Sequence, residues 1–430
     1  MTAPLPAAPQ TASRALPSGR YQVLLVALLS INFGIVFFDR NALGFLMGSI
    51  QPELGLSETQ VGLLSSALSL TWSLAAFGMG AFSDSIGNRK IPLILTTIAF
   101  CACSVVTGLA HSFLLLLAAR MLMGVAEGGV MPISHAMIVT EVDPKHRGIA
   151  QGIAQNFGSN FLGSVIAPTV LVAFAAAYGW RNAFFLAGIP GLVTALLILL
   201  LLREPPRPAV RPSARAKKES WLAVLKERNV LVCCVLAILL VSYLVVCLTF
   251  LPKYLLNVRH FDPGTMSLLM ATLGVSATIG SFAISGLSDR IGRRPVMIAM
   301  PLIGVVLPLA AMSFDGSVWL LGAMFFAGWG LVGIFPLFMA TVPSESVSPA
   351  RVATALGLCM GTGEVLGGVL SPALAGMAAD RWGANMPFWI MIGLTIAAGL
   401  VAMLLVETAP RKRRTEPLAA AQDGARNFIG

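Results

Sequence analysis

Five charged side chains lie inside long apolar stretches of the sequence. Asp39 and Arg40 are adjacent in "VFFDRNALG", Arg120 and Glu127 lie seven residues apart in "RMLMGVAEGGVMP", and Glu364 stands in "GTGEVLGGVLSP". A charge at the centre of a membrane-spanning helix costs roughly 2.5–3.5 kcal/mol on insertion scales, so such residues are normally paired, line a hydrated cavity or serve a function. The chemistry open to these five is proton binding by the acids and anion binding by the arginines.

Arg120 and Glu127 fall on one face of a helix, about 10 Å apart along its axis. The glycines between them allow a neighbouring helix to pack closely, and the segment carrying Asp39 is the expected neighbour. A nearby arginine favours the ionised form of a carboxyl group, so an arginine that changes partner changes proton affinity. We therefore predict proton coupling by Asp39, Glu127 and Arg120. A static buried ion pair and a sodium site are the alternatives.

Arg40 is the first candidate for binding an anion. Neighbouring helical residues point about 100° apart, so Arg40 can face a cavity while Asp39 turns toward the helix of Arg120. A planar guanidinium group can hold a carboxylate through two parallel hydrogen bonds. The alternative is an interfacial arginine whose head group reaches the membrane surface.

Further substrate-binding candidates lie in later segments. Amides recur along residues 151–160, which is unusual for a lipid-facing helix and favours a cavity, although contacts between helices are the alternative. Glu364 is unexpected in an anion carrier: it could be protonated, pair with the charge of Arg40 across the cavity, or contact a polar or cationic part of the substrate. Beside Arg40, the candidates are Gln155, Asn156, Asn160, Tyr243 and Glu364, with packing the alternative for Tyr243.

Long apolar helices must position these residues. The chain has 430 residues, of which 57% are hydrophobic and 11% charged, whereas soluble domains usually carry about 25% charged residues. A membrane-spanning helix needs roughly 20 mostly apolar residues. The segments that meet this requirement are 21–48, 58–82, 90–109, 113–139, 147–175, 181–202, 229–251, 264–287, 293–312, 317–340, 350–378 and 385–406. We predict an all-α membrane protein with 12 transmembrane helices.

The basic residues predict the orientation. Of the 29 Lys and Arg, 23 lie in the two tails and in the loops from even- to odd-numbered helices, and four lie in the opposite loops. Such an excess marks the cytoplasmic side, so both termini are expected there. The predicted parts are a disordered tail (1–20), a six-helix bundle (21–202), a basic linker (203–228), a second six-helix bundle (229–407) and a basic tail (408–430).

The two halves repeat each other. Displaced by 205 residues, "GAFSDSIGNRK" (80–90) aligns with "SGLSDRIGRRP" (285–295), and a displacement of 204 extends the match over some 90 residues. Such a repeat predicts two pseudo-symmetric bundles around a central cavity, with alternating access by rocking of one bundle against the other. The repeat aligns Glu127 with Leu331, so the scaffold itself does not require an acid there.

The repeated loop motif, G-x-x-x-D-x-x-G-R-(R/K), resembles the signature of the major facilitator superfamily, and the resemblance covers roughly residues 20–407. Ser85 departs from the arginine that is usual at its position. Ion pairs around these loops could close the cytoplasmic side and break when the bundles rock, although simple anchoring by positive charges is the alternative. The candidate gating residues are Asp84, Arg89, Arg147, Asp289 and Arg294.

The charged motifs are similar to a narrower group. Asp-Arg in the first helix with Arg-x-x-x-Gly-x-x-Glu in the fourth resembles the anion:cation symporter branch, which includes bacterial proton-coupled transporters of galactonate and other organic anions. The resemblance implies that Asp39 and Glu127 take up protons, Arg40 binds a substrate carboxylate, and Arg120 links the two acids. Spinster-type lipid exporters also carry the Asp-Arg pair.

We therefore expect a secondary active transporter, not an enzyme, that moves a small organic anion together with protons. It should be a monomer in the lipid bilayer of the bacterial inner membrane, without a cofactor or a bound metal and without nucleic acid as a partner. The alternatives are an exporter of an amphipathic solute or lipid, and a transporter-like sensor that binds solute without turnover.

Overall fold

The computed structural model describes residues 17–86, 88–205, 224–348 and 351–409. Most of the predicted tails and of the linker 203–228 lies outside these ranges. Within the ranges, the structure describes the backbone but not the side chains of Asp84 and Asn156. Helices account for most of the described residues, and no strand occurs among them. The predicted all-α fold is confirmed.

Successive helices occupy the positions of the predicted apolar segments. In chain order they are α1 (Gly19–Leu54), α2 (Glu58–Ile86), α3 (Lys90–Gly108), α4 (Phe113–Glu141), α5 (Ile149–Tyr178), α6 (Trp180–Leu201), α7 (Arg228–Asn257), α8 (Pro263–Ile291), α9 (Arg293–Ser313), α10 (Val318–Ser346), α11 (Thr354–Trp382) and α12 (Met386–Ala402). Within the described residues, ten of them, all except α2 and α12, are long and apolar enough to cross a membrane. The count of twelve crossings therefore stays a prediction.

Five of the described helices are interrupted: α9 breaks at Val305, and the other four form two pairs related by the repeat. The helical pattern of α4 breaks at Gly129, and its counterpart α10 contains a 3₁₀ turn at Gly330–Ile334. Wider π turns interrupt α5 at Ile153–Phe157 and Phe161–Ile166, and interrupt its counterpart α11 at Gly363–Val369. Such turns occur frequently at functional sites.

Both halves use the same packing scheme. In the first half α2 packs on α4, α3 on α6, and α1 on α5 and α6. In the second half α8 packs on α10, α9 on α12, and α7 on α11 and α12, which are the same pairs six helices later. The two halves then meet through α1 with α7, α2 with α11, and α5 with α8. The chain thus forms two pseudo-symmetric six-helix bundles.

The bundles are joined at the end that carries the α1–α2, α7–α8 and α11–α12 connections, which we call the closed end. Asp380 of α11 accepts hydrogen bonds from the backbone N–H groups of Glu58 and Thr59, both at 2.8 Å, and so caps the first turn of α2. Lys253 of α7 pairs with Glu58 and donates a hydrogen bond to Gln51 Oε1 at 3.0 Å. Polar contacts therefore hold the two bundles together here.

Close backbone contact supports these polar contacts. A Cβ atom at Gly62 of α2 would collide with the carbonyl group of Pro372 in α11, and one at Gly376 would collide with the carbonyl group of Glu58. Small residues let helices approach this closely. The predicted end of the seventh segment at residue 251 was too early, because α7 continues to Asn257 and buries Lys253.

Candidate functional site

A cavity of about 390 Å³ lies between the two bundles. The first bundle contributes most of its polar wall. The second bundle contributes mainly apolar side chains, including Leu244, Val245, Phe335 and Met339. The polar side chains that line the cavity are Arg40, Asn41, Ser65, Ser69, Arg120, Gln155, Ser159, Asn160, Thr249, Ser281 and Glu364.

Arg40 extends from α1 into this cavity. Its guanidinium carbon lies 5.2 Å from the ring centre of Trp72 in α2 and 5.6 Å from that of Phe37. Aromatic faces attract a guanidinium group without using its N–H donors, and the Arg40 guanidinium donates no hydrogen bond to the other described residues. Arg40 can therefore present its planar donor set to a carboxylate. No sequence pattern indicated Trp72, because its selection depends on which face of α2 lines the cavity.

Asp39 points away from the cavity into the first bundle and is fully buried. The Ser104 hydroxyl of α3 lies 2.7 Å from Asp39 Oδ1 and 2.9 Å from the carbonyl oxygen of Phe184 in α6. Asp39 Oδ2 has no hydrogen-bond partner among the described residues. Its hydrogen-bonding neighbour is thus α3 and not α4, which the sequence analysis missed because a lone serine in an apolar helix carries no distinctive pattern.

Arg120 and Glu127 are both buried in α4. Arg120 Nη2 donates a hydrogen bond of 3.1 Å to the backbone carbonyl of Arg40, and Nη1 lies 3.2 Å from Met123 Sδ. Arg120 Nε and both carboxyl oxygens of Glu127 have no hydrogen-bond partner among the described residues. The arginine therefore keeps an unused donor between two acids that each have an unused oxygen.

The glycines of α4 pack against α2, and not against α1 as the sequence analysis expected. A Cβ atom at Gly124 would collide with Thr71, and one at Gly128 would lie 2.7 Å from the carbonyl oxygen of Trp72. α4 also packs on α1, and there the Arg120 side chain donates a hydrogen bond to the carbonyl of Arg40. This contact still connects the charged residues of the two helices.

This arrangement suits proton binding. Both acids are removed from solvent, and an ionised carboxylate in such a place costs several kcal/mol unless a cation or hydrogen-bond donors compensate it. Arg40 and Arg120 both attract the charge of Glu127, while Asp39 repels it. Movement of either arginine therefore changes the balance between the neutral and the ionised acid.

The other predicted substrate-binding residues divide into two groups. Gln155, Asn160 and Glu364 line the cavity. Tyr243 does not: it is fully buried in the second bundle, where its hydroxyl donates a hydrogen bond of 3.0 Å to the carbonyl of Gly304. Its ring lies against Trp329 at 5.9 Å. The prediction for Tyr243 was wrong, because the residue faces the core of its own bundle.

The predicted gating residues lie at the end opposite the closed end. Arg89 donates hydrogen bonds to the carbonyl of Ala136 at 2.7 Å and to Thr140 at 2.5 Å, which ties the α2–α3 loop to α4. Arg147 Nε donates to the carbonyl of Val142 at 3.0 Å. These contacts stay within the first bundle.

In the second bundle the motif arginine that forms ion pairs is Arg293, which the sequence analysis did not select. Arg293 contacts Asp289 at 2.6 Å and Glu345 of α10 at 3.1 Å, and it is buried. Arg294 instead donates a hydrogen bond of 2.9 Å to the carbonyl of Met403. The alignment at 205 residues paired Arg294 with Arg89, one position away from the arginine that holds Asp289.

Two glutamates cap equivalent helices, and neither was predicted. Glu204 accepts hydrogen bonds from the backbone N–H groups of Arg89 and Lys90 at 2.7 and 2.8 Å. Glu407 accepts those of Arg293 and Arg294 at 2.9 and 3.1 Å. Both acids follow the last helix of their bundle, which is the sequence signal that could have found them. They tie the start of α3 and of α9 to the end of each bundle.

Glu407 also explains a glycine in the loop motif. Gly292 has a φ angle of +112°, and a Cβ atom there would lie 2.5 Å from Glu407 Oε2. Partial burial raises the pKa of Glu407, but the backbone N–H groups around it outweigh burial and hold that pKa below its usual value. The cap is therefore present at neutral pH and is lost as the pH falls through the lowered pKa.

Comparisons with known proteins agree with this fold. A model described as the Major Facilitator Superfamily matches residues 29–358 and 246–428. A solved bacterial homolog of the human lysosomal transporter Spinster, in an inward-facing and occupied conformation, superposes with a TM-score of 0.75 at 20% identity, covering 90% of this chain and 97% of that chain. The nucleoside transporter NupG superposes with a TM-score of 0.71 at 14% identity, covering 88% of this chain and 98% of that chain.

Several curated relatives are transporters of organic acids. The probable sulfoacetate transporter SauU of Cupriavidus necator is 27% identical, over 89% of this chain and 93% of that protein. The hexuronate transporter of Bacillus subtilis is 26% identical, over 89% and 94%. The 3-(3-hydroxy-phenyl)propionate transporter of Escherichia coli is 28% identical, over 89% and 93%. The chain is thus a multi-pass membrane transporter and belongs to the Major Facilitator Superfamily.

Proposed function

We propose that the protein is a proton-coupled symporter that carries a small organic anion across the bacterial inner membrane. The observation that carries this proposal is the buried set of Asp39, Arg120 and Glu127, in which Arg120 reaches the cavity and donates a hydrogen bond to the backbone carbonyl of Arg40. Two acids without full hydrogen bonding would bind protons, and an exposed arginine would bind the anion. The organic-acid substrates of the relatives support an anionic substrate.

The proposed cycle follows from the contacts of Arg120. With Glu127 protonated, Arg120 remains on the carbonyl of Arg40, and the Arg40 guanidinium can bind a carboxylate in the cavity. When Glu127 releases its proton, its charge draws Arg120 or Arg40 toward it, because an unpaired buried charge is costly. The anion then loses part of its attraction and leaves. Proton release and substrate release are thereby coupled.

The two openings of the cavity would alternate by rocking of the bundles. The excess of Lys and Arg at the opposite end supports an orientation with the closed end on the outer side of the membrane and both termini in the cytoplasm. Asp84, Arg89, Arg147, Asp289 and Arg294 would then lie at the cytoplasmic end, where contacts between bundles could form in the other state.

A second candidate is export of an amphipathic solute. The apolar wall that the second bundle presents to the cavity favours it, since the hydroxyl groups of a fully hydroxylated substrate would find no hydrogen-bond partners there. Both candidates share the fold and the cavity. They differ in the direction of transport that a proton gradient drives.

Uptake into proteoliposomes tests the proposed function. The panel is sulfoacetate, galacturonate and 3-(3-hydroxyphenyl)propionate, each with an inward proton gradient, without a gradient, and with a protonophore. We expect at least one acid to accumulate against its own gradient, and only while the proton gradient lasts. Accumulation that is unchanged by the protonophore, or export driven by the same gradient, would contradict symport.

The contacts at the closed end make a separate prediction. Lys253→Met removes the cation between Gln51 and Glu58 and leaves a partly buried carboxylate unpaired, which in a closed bundle interface costs about 3–5 kcal/mol. The bundles can relieve this cost by separating, since 1.4 kcal/mol already shifts an equilibrium tenfold. We expect the closed end to open more often. A cysteine at Thr249, which lines the cavity and bonds Ser65 at 2.9 Å, reports this opening.

The measurement is the labelling rate of Thr249→Cys by a membrane-impermeant maleimide in intact cells. The rate should rise at least tenfold when Lys253→Met is added. Arg259→Met is the matched control. Arg259 pairs with the exposed Asp315 of the α9–α10 connection in its own bundle, so its loss leaves the bundle interface intact. Equal labelling with and without Lys253→Met would show that this ion pair does not hold the bundles closed.

A further inference from the structure

Glu364 is the one acidic side chain that lines the cavity among the described residues. It belongs to the second bundle, at the π turn Gly363–Val369 of α11, whereas Arg40 belongs to the first. Its carboxyl group makes no hydrogen bond to the other described residues, and it is partly exposed to the cavity. Neither proton coupling nor anion binding accounts for an acid at this position.

Apart from Glu364, Thr249 and Ser281, the wall that the second bundle presents to the cavity is apolar. Val241, Leu244 and Val245 of α7 and Phe335 of α10 are among the side chains that the second bundle presents to the cavity. A carboxylate in such a wall needs a hydrogen-bond donor from whatever fills the cavity, because an unpaired charge in an apolar surrounding is costly. It also repels a second carboxylate on a ligand that Arg40 already holds.

We propose that the cavity selects an organic monoanion with three features: a carboxylate for Arg40, an apolar body for the second bundle, and a hydroxyl group that donates a hydrogen bond to Glu364. This inference rests on the proposed function and names its substrate class. A ligand of this kind spans the two bundles, so its binding would draw them together. A ligand that lacks the hydroxyl leaves Glu364 unpaired, and specificity of this kind comes from the unpaired buried group.

Binding of two matched acids tests the hydroxyl contact. The probes are 3-(3-hydroxyphenyl)propionate and 3-phenylpropionate, titrated calorimetrically into the full chain in detergent. A hydrogen bond to a charged group corresponds to roughly a 10- to 150-fold change in Kd. We expect the wild type to bind the hydroxylated acid at least tenfold more tightly. We expect Glu364→Leu to remove this preference, because the variant loses both the hydrogen bond to the hydroxylated acid and the unpaired carboxylate that penalises the other acid.

Two further variants separate the contact from folding. Glu364→Gln keeps an acceptor oxygen but no charge, and neutral hydrogen bonds are about half as strong, so an intermediate preference is expected. Asp315→Asn, in an exposed loop, is the control and should keep the full preference. Weakening of both acids to the same extent in Glu364→Leu, or an unchanged preference in that variant, would overturn the role of Glu364.

Galacturonate separates the inference from the proposed function. This acid carries a carboxylate and several hydroxyl groups but no apolar body, so it should bind more weakly than 3-(3-hydroxyphenyl)propionate. Tighter binding of galacturonate, or proton-driven uptake of another acid when neither aromatic acid binds, overturns the inference and leaves symport standing. Failure of every acid in the uptake panel refutes the proposed function itself.

Discussion

Glu127→Gln is expected to abolish accumulation of substrate by a proton gradient while leaving exchange of substrate across the membrane intact. Glu127 is buried in α4, and neither carboxyl oxygen has a hydrogen-bond partner among the described residues. Glutamine imitates the protonated acid in shape but cannot release a proton. The carrier can then still bind and exchange an anion, but each turnover no longer depends on a proton.

The magnitude follows from the free energy of a proton gradient. One pH unit is worth 1.36 kcal/mol per proton, or about tenfold accumulation for each coupled proton. In Glu127→Gln the concentration ratio across the membrane should fall to that of an uncoupled carrier, while counterflow of labelled acid continues. Glu53→Gln, in the same bundle but partly exposed at the end of α1, should retain the accumulation of the wild type. Gradient-driven accumulation by Glu127→Gln would rule out this acid as the coupling site.

Arg40→Ala is expected to cause the largest loss of substrate binding. Truncating one partner of a desolvated charge pair costs about 2–5 kcal/mol, which corresponds to a loss of roughly thirtyfold or more in affinity. Arg40→Lys keeps the charge but not the planar donor set, so it should recover only part of this loss. The readout is the Kd of 3-(3-hydroxyphenyl)propionate in detergent.

A second arginine serves as the control for Arg40. Arg381 stacks on Trp382 at 5.4 Å at the exposed end of α11, outside the cavity, and Arg381→Ala should leave the Kd within about twofold. Thermal unfolding without ligand checks that Arg40→Ala folds. An unchanged Kd in a folded Arg40→Ala variant would mean that the anion binds elsewhere.

The sequence allowed prediction of the helices and of the cavity residue Arg40, because the alternatives to both carry a large free-energy cost in a membrane. Long apolar segments have few alternatives to membrane helices. The cost of an unpaired charge in a membrane drives Arg40 toward the hydrated interior. The repeat of the two halves predicted two pseudo-symmetric bundles, and the structure shows equivalent helices packing in equivalent ways.

The remaining details depend on the rotation of each helix and on its neighbours, which one sequence does not determine. Tyr243 is as suited to a cavity as to a core, and only the rotation of α7 within its bundle brought its hydroxyl to the carbonyl of Gly304 in α9. The glycines of α4 allow any neighbouring helix to pack closely, and in the structure that helix is α2. The contact of Asp39 with Ser104 joins residues 65 positions apart in different helices. The alignment of the two halves by 205 residues selected Arg294, but the arginine that forms the ion pairs is the preceding residue, Arg293.

The most direct test of proton coupling is a measurement of both fluxes in the same vesicles. Proteoliposomes with a trapped pH dye and no imposed proton gradient receive an inward gradient of 3-(3-hydroxyphenyl)propionate, and lumen pH and labelled acid are followed together. Coupling by Asp39 and Glu127 predicts that the lumen acidifies as the acid enters, and that Glu127→Gln abolishes the acidification while entry continues. Entry into wild-type vesicles beyond the rate in protein-free vesicles, without acidification of the lumen, would contradict the account.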